Sequence, residues 1–83
     1  MTQQPFTLDL LAVGDSAVIS SIRGEGAMRD RLQELGFTSK APVTCLFPAV
    51  FGDPRAYRIK NTLIALRNAD AKLIECRFKE GEK

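Results

Sequence analysis

The chain has 83 residues, 45% of them hydrophobic and 27% charged, with 12 basic and 10 acidic side chains and a formal net charge of +2. That length holds one small core and no second, and the charged fraction is that of a globular domain rather than a disordered segment. With no histidine there is no Ser-His-Asp triad, no Cys-His pair and no imidazole ligand, and the two cysteines, Cys45 and Cys76, are too few for a zinc ribbon or finger.

Residues 1–6 are expected to form a flexible lead-in. Thr7 precedes Leu8-Asp9-Leu10-Leu11, which reads as a short helical turn with Thr7 as its cap. Val13-Gly14-Asp15 reads as a tight turn, and the β-branched run Ser16 to Ile22 as a strand ended by Gly24-Glu25-Gly26. Met28, Leu32 and Leu35 recur at helical spacing, so Ala27 to Leu35 is the one clear helix, stopped by Gly36 in a left-handed cap with Phe37 folding back as its hydrophobic contact.

Beyond the helix, Val43, Cys45 and Phe47 alternate inward along a strand from Ala41 to Phe47. Phe51-Gly52-Asp53-Pro54 reads as a turn. A strand from Arg55 to Lys60 follows, with Tyr57 and Ile59 on one face, then a tight hairpin at Asn61 and a strand from Thr62 to Arg67. Asn68 to Ala71 makes a helical turn, and Leu73 to Phe78 a last strand with Ile74, Cys76 and Phe78 on one face. Residues 79–83 read as a flexible charged tail. Five short strands and one inserted helix predict a mainly β fold, a small closed or nearly closed barrel over residues 7–78. No apolar run approaches the roughly 20 residues of a membrane helix, and no signal peptide is visible, so a soluble cytoplasmic protein is the expectation.

Arg31-Leu32-Gln33-Glu34-Leu35-Gly36-Phe37 resembles the RL-x-x-LG-[FM] element of the FeoA family. Leu10-Leu11-Ala12-Val13-Gly14-Asp15, Phe51-Gly52-Asp53-Pro54, Ile64-Ala65-Leu66-Arg67 and Ala71-Lys72-Leu73-Ile74 are similar to four further elements of that family, in the same order. Two turns depart from it: Ser39-Lys40 stands where the family often has Pro-Gly, and Asn61 where it has a hairpin glycine. The resemblance implies an SH3-like barrel with an inserted helix. It also implies an accessory role for FeoB, the membrane ferrous iron transporter with a cytoplasmic GTP-binding domain, whose assembly, GTP hydrolysis or gating the chain would modulate. A similar domain ends iron-dependent repressors, but this chain has no helix-turn-helix.

The helix stripe reads either as a seal on one end of the barrel or, with Phe37, as part of a contact groove. Arg31, Leu35, Phe37, Phe51 and Arg67 are the candidate partner contacts. The alternative is a stand-alone barrel module that binds a transition metal or nucleic acid. Six basic residues against two acidic ones from Arg55 to Arg77 suit that alternative, while the scarcity of stacking aromatics argues against nucleic acid. No acidic or thiolate pair has recognisable ligand spacing, so neither a metal nor a cofactor is expected, and both cysteines read as core residues. No enzymatic constellation is present. Exposed apolar residues would permit weak self-association.

Overall fold

A computed structural model of the chain describes residues 4–48 and 53–78, with the backbone alone at Phe47 and Pro48. In chain order the elements are β1 (Phe6–Thr7), a 3-10 turn (Leu8–Leu10), β2 (Ser16–Ile22), α1 (Ala27–Leu35), β3 (Pro42–Pro48), β4 (Arg55–Ile59), β5 (Thr62–Leu66), α2 (Asn68–Ala71) and β6 (Ile74–Arg77). All strands pair antiparallel in one sheet of order β1-β6-β2-β3-β4-β5.

Alternation along the strands builds the core. Ile19, Val43, Cys45, Tyr57, Ile59, Ile64, Leu66, Ile74 and Cys76 all turn to one face of the sheet, which curls around them. Register shifts between Ile19 and Ser21 and between Cys45 and Phe47 supply the bends. Leu8, Leu11, Leu32, Phe37 and Ala71 close the ends. Both cysteines are free and fully buried, as core residues.

The helix and the long strands lie where periodicity places them. Three local readings change. Phe6, counted with the flexible lead-in, instead pairs with Cys76 in a sixth strand. Two residues are too few to show a period. The Thr7 hydroxyl does not cap the turn that follows; it donates to the Asp9 carboxylate. Phe37 is fully buried. Gly36, at φ +116°, reverses the chain, and the Phe37 N–H donates to the Leu32 carbonyl at 3.1 Å, which draws the ring into the core. The hairpin between β4 and β5 has two central residues, Lys60 and Asn61, both at positive φ (49° and 66°), the geometry of a primed turn. Of the Phe51-Gly52-Asp53-Pro54 turn, Phe51 and Gly52 lie outside the described residues, as does the charged tail 79–83.

Arg55 has a structural task that its place in a basic run concealed. Its guanidinium donates to the carbonyls of Asp9 at 2.7 Å and Leu11 at 2.6 Å and to Cys45 Sγ at 3.0 Å. Its central carbon stands 5.9 Å from the centroid of the Tyr57 ring. One side chain thus ties the 3-10 turn to the middle of the sheet.

Candidate functional site

The helix α1 buries only part of its apolar face. Of its apolar stripe only Leu32 is buried (1% exposed), while Met28 is half-buried and Leu35 remains 37% exposed. Between this face and the β5–α2 segment runs a groove of about 230 Å³. Met28, Leu32, Leu35, Ala65 and Leu66 supply its apolar surface. Arg31 enters from the helix, Arg67 from the end of β5, and Asp70 from α2. Pro54 completes the wall. The Asp53 carboxylate accepts the Asn68 backbone N–H at 2.9 Å, which fastens the loop before β4 to the start of α2.

The electrostatics of the groove follow from what its arginines lack. The one ion pair among the described residues, Arg23 with Glu75 at 3.0 Å, lies elsewhere on the molecule. Neither Arg31 nor Arg67 has a carboxylate oxygen within 4.0 Å among those residues. Both arginines are exposed residues. Such a pair, flanking an apolar floor, can accept a carboxylate in the fork geometry that arginine favours.

The structure therefore brings together three of the five candidate contacts, Arg31, Leu35 and Arg67. Phe37 is not a direct contact, because it has no exposed surface; its backbone N–H bonds the Leu32 carbonyl at the end of α1. Phe51 lies outside the described residues. The basic run does not form one face. Arg55 points at backbone carbonyls, Arg58 and Lys60 lie on the exposed side of the β4 end, and Arg77 lines a second, more open depression with Ser20, Ser39 and Lys40, its Nε donating to Ser20 Oγ at 3.1 Å. No cluster of three or more acidic or cysteine side chains suited to a metal occurs among the described residues. No helix among them is long and apolar enough to cross a membrane.

Met28 belongs to the helix stripe that the sequence already offers as part of a contact groove, whereas Ala65, Leu66 and Asp70 escape a reading of the sequence as functional residues. Ala65 and Leu66 sit in a strand whose pattern predicts burial but not which element lies opposite. Leu10 (69% exposed) and Val13 (49%) also keep large apolar surfaces in solvent, on the side of the 3-10 turn.

Comparison with known proteins agrees with this architecture. The FeoA domain family matches residues 6–78. A fusion of Fe(2+) transport protein A with the Fe(2+) transporter FeoB from Porphyromonas gingivalis is 40% identical over 68 residues, covering 82% of this chain and 8% of that protein. The chain thus spans under a tenth of the length of this curated relative. The solution structure of FeoA from Chlorobium tepidum superposes with a TM-score of 0.84 at 31% identity, over 94% of this chain and 74% of that one. The zinc complex of Stenotrophomonas maltophilia FeoA, described as a prokaryotic SH3 domain protein, gives 0.78 at 32% identity over 86% and 88%.

Proposed function

The chain belongs to the FeoA family, and from that premise we propose that it is a non-enzymatic accessory protein of bacterial ferrous iron uptake that docks on the cytoplasmic part of a FeoB-type transporter. The observation that carries this reading is the Porphyromonas fusion, in which a relative of this chain is covalently joined to the transporter. Fusion makes sense chemically when two domains act together, because tethering holds them at a high effective concentration.

The α1–β5 groove is the docking surface. Leu35 and Met28 offer an apolar contact and Arg31 and Arg67 anchor acidic side chains of the transporter. An accessory protein alters its target only by binding one of the target's states more tightly than another. Preference for one state would bias assembly, GTP hydrolysis or gating of the transporter.

Tagged protein recovered from gently solubilised membranes of its host is expected to bring down the ferrous transporter. Leu35→Asp is expected to reduce that recovery at least about tenfold, the cost of desolvating a carboxylate against an apolar contact. Leu35 is part-exposed, so the variant keeps its fold, which a thermal melt checks. Failure to recover a transporter shown to be present in the extract contradicts the proposal.

A further inference from the structure

Strand β5 is an edge strand. It pairs with β4 and, among the described residues, with no strand on its other side. Its register fixes which backbone groups are spare. In a two-residue hairpin the residues flanking the turn form a hydrogen-bonded pair, here Ile59 with Thr62. By alternation Tyr57–Ile64 and Arg55–Leu66 are hydrogen-bonded pairs too, and the N–H and C=O groups of Leu63 and Ala65 point away from β4 toward the open edge.

That edge is also a wall of the groove, through Ala65 and Leu66, and α1 forms the facing wall. Protected edges carry prolines, inward charges or a covering element. β5 has no proline and no charge between Thr62 and Leu66, and Leu63 is 63% exposed. We propose that the groove takes its partner by strand addition: an extended segment of the transporter lies along β5, bonds to the backbone of Leu63 and Ala65, and presents acidic side chains to Arg31 and Arg67. This rests on the docking reading above and adds the mode by which it operates.

Charge decides the occupant. A second copy of this chain pairing β5 with β5 antiparallel, Leu63 opposite Ala65, would set Arg67 of each copy opposite Asn61 of the other, which offers it no carboxylate. An acidic partner segment instead meets two guanidinium groups that have no carboxylate of their own. Backbone bonds give such a complex its affinity, and alternate side chains its specificity.

The test is hydrogen–deuterium exchange, resolved to single amides, on the full chain with and without purified full-length transporter in lipid nanodiscs. The amides of Leu63 and Ala65 are expected to slow at least about tenfold on binding, while those of Thr62, Ile64 and Leu66, already bonded to β4, change little. In parallel, Ala65→Pro, which removes an outward N–H from an edge position where proline is tolerated, is expected to weaken binding tenfold or more. Binding that persists with unchanged exchange at Leu63 and Ala65 overturns strand addition and leaves the docking reading in place. No binding by the unaltered chain overturns both. The exchange pattern needs no variant, so a misfolded Ala65→Pro does not blunt the test.

Discussion

Arg55→Leu is expected to destabilise the domain by about 2–4 kcal/mol, a large part of the roughly 4–12 kcal/mol that a domain of this size has in total. The substitution leaves the carbonyls of Asp9 and Leu11 without their donor, and those two acceptors join the 3-10 turn to the sheet. It also removes the cation from the Tyr57 ring and the donor from Cys45. Arg55 is half-buried, so water recovers part of the loss, which keeps the figure below the sum of two fully buried orphans. Arg55→Lys, with a compact ammonium, reaches one carbonyl but not both and should fall between. Urea unfolding measures the difference. A loss under about 1 kcal/mol for the leucine variant would mean that the guanidinium does not hold the turn.

The second large effect is alkaline. Burial pushes the Cys76 thiol from 9.0 up to about 12, with the Glu75 and Asp9 charges adding in the same direction. Burial likewise pushes the Tyr57 phenol from 10.0 to about 12, against the opposing pull of Arg55. Both groups stay neutral in the fold and ionise more readily when the chain unfolds. A raised folded value means that stability is intact below the unfolded value and declines above it. The decline starts near pH 9 with Cys76 and steepens near pH 10 with Tyr57, at roughly 1.4 kcal/mol per pH unit for each group. By pH 11 the domain is expected to have lost about 4 kcal/mol relative to pH 8. Urea midpoints across that range test this, and Cys76→Ala should move the onset up toward pH 10. A midpoint that stays flat to pH 11 would show that neither group is sealed from solvent.

The two residues behind that prediction also illustrate what was legible in the sequence. Tyr57 and Cys76 fall at inward positions of alternating strands, so their burial could be read from the pattern alone. The helix was equally plain, because Met28, Leu32 and Leu35 are framed by polar neighbours and stopped by Gly36. Phe37 was legible as the contact of a left-handed cap, yet the same reading placed it on a partner surface. Local chain reversal does not reveal whether the returning ring meets solvent or core. Arg55 was illegible for a similar reason, since its partners are backbone carbonyls that no side-chain pattern encodes.

The groove was half legible. Arg31 and Leu35 belong to one motif and Arg67 to another, more than thirty residues later, and the antiparallel register that returns β5 to the helix is a property of the whole sheet. Ala65 carries no chemical signal in its side chain. Its interest comes from a backbone left unpaired at the edge, which depends on strand order rather than on residue type.

The central claim is that the cationic, apolar groove between α1 and β5 is the surface that meets the transporter. The most direct measurement is the affinity of the full chain for purified full-length transporter, comparing Arg31→Glu/Arg67→Glu with Arg23→Glu, an exposed arginine outside the groove. The groove pair should lose at least about thirtyfold, some 2 kcal/mol, while Arg23→Glu changes affinity less than about threefold. Equal losses from both variants, or none from the groove pair, would place the contact on another face of the barrel.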